Sequence, residues 1–114
     1  FLSGPGMSGD HQRVSGKKLD TTTIVVRAAD GDAACEQTLL RYENRLARSL
    51  AHVINILDPD VIVLGGGMSN IQRLYENVPG IWGRYVFSDR VDTRLVRNQF
   101  GDSSGVRGAA WLLE

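Results

Sequence analysis

Two glycine-rich segments mark where this sequence could do chemistry. Gly65-Gly66-Gly67 lies directly behind Val61-Ile62-Val63-Leu64 and leads into Met68-Ser69-Asn70. Gly101-Asp102-Ser103-Ser104-Gly105 follows the apolar pair Leu95-Val96. Glycine reaches positive φ and lets a ligand come close to the backbone. A helix beginning just after such a turn offers unpaired N–H groups and partial positive charge to a phosphate. Together these features point to anion or nucleotide contact. The spacing matches neither G-x-G-x-x-G nor G-x-x-x-x-G-K-[ST]. A tight strand-to-helix turn without a ligand therefore stays open as the alternative.

The other reactive side chains read as structural. Cys35 falls on an apolar helix face and is expected to be a small buried hydrophobe. His52 falls on the polar side of the same helix, and His11 among polar residues, where exposure is expected. One cysteine and two distant histidines do not make a zinc site. Asp102 suits a turn or an N-cap better than a ligand. Arg107, in the first turn of an expected final helix, opposes the dipole preference and hints at a carboxylate or phosphate partner. Arg41, Arg45 and Arg48 form a stripe expected to be solvated beside Glu36 and Glu43. Trp82, Tyr85 and Phe87 suit a core or a subunit contact better than a sugar platform.

The elements that must position the glycines follow from periodicity. A short helix opened by Ser3 is expected between Gly4 and Val14. A second, capped by Asp20 or Thr21, carries Ile24, Val25 and Ala28 and ends at Gly31, a helix being preferred although the β-branched run TTTIVV would equally suit a strand. Cys35, Leu39, Tyr42, Leu46, Leu50, Val53, Ile54 and Leu57 step by three or four and predict a long helix, N-capped by Asp32. Pro59 should stop it near Leu57. Val61–Leu64 reads as a strand buried on both faces, as in a parallel sheet. Ser69 and Gln72 fit a capping box for a helix through Leu74 and Val78, with Pro79 opening a further turn. A strand near 93–98 and a final helix through Val106, Ala109, Ala110, Leu112 and Leu113 complete a twice-made βα unit. Both glycine loops then lie at the carboxyl edge of one sheet, where α/β proteins bind ligands.

The 114 residues make one ordinary domain, with 42% apolar residues to fill its core. Thirteen basic residues balance thirteen acidic ones, which excludes a general nucleic-acid binder. No apolar run approaches the ~20 residues that span a bilayer. A single cysteine excludes an internal disulfide and suits a reducing, cytoplasmic compartment.

The run from Ile56 to Ser69, ILDPDVIVLGGGMS, resembles the corresponding segment of sugar kinases of the ROK (repressor, ORF, kinase) family. The tail from Gly101 to Leu112, GDSSGVRGAAWL, is similar to the bacterial fructokinase/mannokinase branch. Phe1-Leu2-Ser3-Gly4-Pro5-Gly6 resembles the stretch after that family's zinc-binding cysteines. The resemblance spans essentially the whole chain. It implies an α/β fold, the C-terminal lobe of an actin/hexokinase-like (ribonuclease H-like) ATPase, with residues 1–114 as a single lobe. It further implies that Gly65, Gly66 and Gly67 line the nucleoside and phosphates of ATP, that Asn70 reaches the nucleotide, and that Ser3 and Gly4 lie near the sugar. ATP with Mg2+, a hexose such as fructose or mannose, and a homodimer are the implied cofactor and partners.

The family's Asp-x-Gly-x-Thr phosphate loop, its catalytic Asn-Asp segment and its Cys-x-Cys-Gly-x-x-Gly-Cys zinc motif do not occur in this sequence. With Phe1 as first residue, the expectation is a C-terminal fragment of a longer kinase, inactive alone, with any zinc held upstream. Two other classes compete: a sugar-responsive transcriptional regulator of the same family, and a stand-alone interaction domain whose glycine loops bind nothing.

Overall fold

The computed structural model describes residues 4–88, 90–97 and 109–112, with Gly4, Pro5 and 109–112 described by their backbone path alone. In chain order the elements are α1 (Gly4–Ser15), α2 (Thr21–Ala29), α3 (Ala33–Leu57), β1 (Val61–Leu64), a 3-10 turn (Gly67–Asn70), α4 (Gln72–Trp82), β2 (Arg94–Arg97) and β3 (Ala109–Leu112). The chain forms two compact units, Phe1–Arg45 and Leu46–Glu114, and α3 belongs partly to each.

In the first unit, helix ends fall where capping chemistry puts them. The Asp20 carboxylate accepts from the Thr23 N–H at 2.8 Å and the Asp32 carboxylate from the Cys35 N–H at 3.1 Å. Gly31, at φ 100°, lets the chain leave α2. Met7, Ile24, Cys35, Leu39 and Tyr42 make the apolar core.

Two expectations are overturned here. His11 is 1% exposed rather than solvated. Thr38 gives its hydroxyl proton to the Ala34 carbonyl, so the His11 Nδ1–H donates to Thr38 Oγ1 at 2.7 Å. The arginine stripe is not simply solvated either. Arg41 Nε and Arg45 Nη1 donate to the buried Asp10 carboxylate at 3.0 and 3.3 Å, and Arg13 reaches it at 3.4 Å. Glu43 is fully buried. An α-helical wheel reports which residues share a face, but not what a neighbouring helix presents to that face.

Asp10 ties α1 to α3, and its titration gives a prediction. Burial pushes its carboxyl up, but hydrogen bonds and charge from Arg41 and Arg45 outweigh burial and hold it below the ordinary carboxylate value. Its contribution to stability is thus complete above the unfolded aspartate range and is lost as pH falls toward the lowered folded value. Asp10→Asn should cost about 1–2 kcal/mol at pH 7, discounted because its arginines are partly wet. The gap between the urea midpoints of the two proteins should begin to narrow below about pH 4 and go on narrowing toward the lowered folded value. A gap that does not narrow at all as pH falls below the ordinary aspartate range would mean that the charge is not what stabilises.

The second unit holds a parallel three-stranded sheet in the order β2-β1-β3. Val61 pairs with Arg94 and Ala109, and Leu64 with Arg97 and Leu112. β1 is central, and all four of its residues are buried. The Arg94 N–H donates to Asp60 O at 3.0 Å and Thr93 Oγ1 donates to Pro59 O at 2.6 Å, which fixes the start of the β1–β2 pairing. Leu46, Leu50 and Ile54 of α3 and Leu74, Val78 and Trp82 of α4 are buried core residues of this unit.

Three local expectations change. Ile71, not Ser69, stands at the N-cap of α4, because Ser69 is already folded into the 3-10 turn. Pro79 does not open a new helical turn. It lies inside α4, where its nitrogen lacks a proton for the Tyr75 carbonyl. Residues 109–112 form β3, not a helix. A buried central strand needs backbone partners on both edges, and pairing with the second edge of β1 overrides the weak helical preference of four residues.

Candidate functional site

Because the three strands are parallel, Leu64, Arg97 and Leu112 end on one edge of the sheet. The glycine turn follows Leu64 at that edge. Gly65 is buried, while Gly66 and Gly67 are exposed. Gly66 takes φ 73° and ψ −168°, a region that is essentially glycine-only. The tight turn is therefore real, and its exposed face is bare backbone.

The turn is held from beneath. Ser69 donates to the Gly66 carbonyl from its N–H at 3.2 Å and from its hydroxyl at 2.6 Å. Tyr75 Oη donates to the Ser69 carbonyl at 2.6 Å. Met68 and Ser69 are buried, and Asn70 is exposed. Burial pushes the Tyr75 phenol up, against a smaller lowering by Arg97, so Tyr75 keeps its proton for this bond. These contacts brace the turn from its buried side and leave Gly66 and Gly67 facing solvent.

Arg97 Nη2 donates to Asn70 Oδ1 across this edge. Sequence reasoning did not single out Arg97. Its place depends on the pairing of Arg97 with Leu64, which the sheet shows and the sequence around Arg97 does not. The other expected site residues are placed as follows. Gly4 opens α1 in the first unit. Ser3, Asp102, Arg107 and the glycines at 101 and 105 lie outside the described residues.

Three further features bear on chemistry. Burial, with Asp32 nearby, pushes the Cys35 thiol up, so Cys35 is not an activated nucleophile. Among the described residues no group of three His, Cys, Asp or Glu side chains could hold a metal ion. A groove of about 480 Å³ lies at the opposite, amino-terminal end of β1, lined in part by Asn55, Asp58, Asp60, Phe87 and Arg90. Asn55 holds its wall, donating to Tyr85 O at 3.1 Å and accepting from the Phe87 N–H at 2.9 Å. Ligands of open parallel sheets bind at the carboxyl edge, so the glycine turn is the stronger candidate.

The second unit is thus an α/β unit with a parallel sheet and a glycine turn at its carboxyl edge. A ROK hexokinase from Thermus thermophilus shares the fold, with a TM-score of 0.72 over 93% of this chain and 37% of that one, at 24% identity. The ROK family model matches residues 1–114, and the chain belongs to the ROK family. It is 36% identical over 112 residues to an N-acetyl-D-glucosamine kinase of Photobacterium profundum and 37% identical over 113 residues to one of Pasteurella multocida. Each match covers 98% of this chain and 37% of the relative, so the chain spans little more than a third of their length. These relatives carry the name of neither branch, fructokinase or mannokinase, that the tail resembles. No helix among the described residues is long and apolar enough to cross a membrane.

Proposed function

We propose that the chain forms the nucleotide side of an ATP-dependent sugar kinase, which moves the γ-phosphoryl group of MgATP to a hydroxyl of a hexose. The observation that carries this reading is the exposed Gly66–Gly67 backbone at the carboxyl edge, propped from beneath by Ser69 and Tyr75. Such a surface fits the nucleoside end of ATP, and Arg97 beside it fits an anion. ATP supplies the phosphoryl group. Magnesium would arrive on its phosphates.

Phosphoryl transfer rests mainly on positioning and charge stabilisation. The turn would hold one end of the donor, while the base and the facing wall of the cleft belong to the family motifs missing from this sequence. N-acetylglucosamine is the favoured acceptor, because the similar kinases above are named for it. Fructose and mannose follow from the tail. Homodimeric assembly and a cytoplasmic setting belong to the same proposal.

The purified chain should bind ATP and ADP, with amide shifts centred on Gly65–Gly67. With MgATP and N-acetylglucosamine, fructose or mannose, it should release no ADP above background. Turnover by the chain alone would overturn the division of labour, and shifts centred elsewhere would overturn the site. In a longer gene product with the missing motifs, the same three sugars would rank the acceptors.

A further inference from the structure

We propose that Arg97 is a nucleotide-binding residue whose guanidinium contacts a phosphate of the bound nucleotide, Asn70 being its partner only while the site is empty. The inference rests on the nucleotide reading above and deepens it. It starts from where the positive charges of the described residues go. Arg13, Arg41 and Arg45 converge on Asp10, and Arg90 pairs with Asp92. Arg48 lies over the Tyr85 ring at 5.7 Å. Among the described residues the Arg97 side chain meets no carboxylate, only the neutral amide oxygen of exposed Asn70.

Its position gives that charge a use. The register pairs Arg97 with Leu64, the residue just before the glycine turn. Its reach to Asn70 carries the guanidinium across the edge to the far end of the turn. A phosphate beside the Gly66–Gly67 backbone would therefore have a planar, doubly donating cation within reach. A guanidinium pairs with a phosphate through two parallel N–H donors and opposite charge, neither of which the single neutral oxygen of Asn70 offers, so an arriving phosphate should displace Asn70. Arg97 is exposed, so the exchange needs no unfolding.

The test compares ADP with adenosine, which lacks the phosphates, on the wild-type chain, Arg97→Ala and Arg97→Lys. Affinities are read from amide shifts at Gly65–Gly67. Arg97→Ala should weaken ADP about tenfold or more and leave adenosine unchanged, which also shows that the variant is folded. Arg97→Lys should recover part of the ADP preference, because it keeps the charge and loses the fork. An unchanged ratio of ADP to adenosine affinity in Arg97→Ala would overturn this inference while leaving the nucleotide site intact. Equal losses for both ligands would make Arg97 a structural support and also overturn it. Wild-type silence toward both would instead overturn the nucleotide reading on which it rests.

Discussion

Gly66→Val should abolish the ADP-induced shifts at Gly65–Gly67 and lower stability by about 1–3 kcal/mol. The cause is local. Gly66 sits at φ 73° and ψ −168°, where a Cβ meets its own backbone, and a β-branched side chain is the worst case. To escape, the residue must rotate, and its carbonyl then leaves the two Ser69 donors that it now accepts from. Losing them frees Ser69, and with it the Tyr75 prop beneath the turn. Gly67 is the control. It is exposed and is not among the glycines at positive φ, so Gly67→Ala should change the urea midpoint little. Two variants equally benign in both readouts would show that the unusual backbone of Gly66 is not what shapes the site.

How much of this could be read in advance depended on whether one segment's own chemistry settled the question. Val61–Leu64 announced a buried parallel strand, because it is a short run of four apolar residues, three of them β-branched, bounded by Pro59 and Gly65. The long helix announced its face through its spacing and its ends through Asp32 and Pro59, and its structure matches residue for residue at both termini. The glycine turn was legible for the same reason. What failed depended on partners distant in sequence. His11 is polar and flanked by polar residues, yet Thr38, 27 residues away, gives it a buried partner. Arg41 and Arg45 suited a wet surface until Asp10 appeared opposite them, more than 30 residues away. Residues 109–112 read as helix from their own spacing, and the unpaired edge of β1 made them a strand. Arg97 went unnoticed because its meaning lies in its register with Leu64, which no window around Arg97 contains.

Ile62→Ala should remove about 2–4 kcal/mol of stability, the largest loss expected of any truncation in the sheet. Ile62 is 1% exposed in the middle strand, level with Leu95 on one side and Ala110 on the other. A cavity there has a neighbour strand on each side and cannot drain to solvent. Ile56, 66% exposed on α3, marks the other limit, and its alanine variant should fall within about 0.5 kcal/mol of wild type. The strand and turn variants should also fail in different ways. Ile62→Ala leaves the turn itself intact, so ADP should bind the folded fraction with unchanged intrinsic affinity and restore the melting temperature as its concentration rises. Gly66→Val damages the binding surface, so added ADP should rescue nothing. If ADP stabilises neither variant, the central strand does more than carry the turn, and its side chains must shape the nucleotide surface directly.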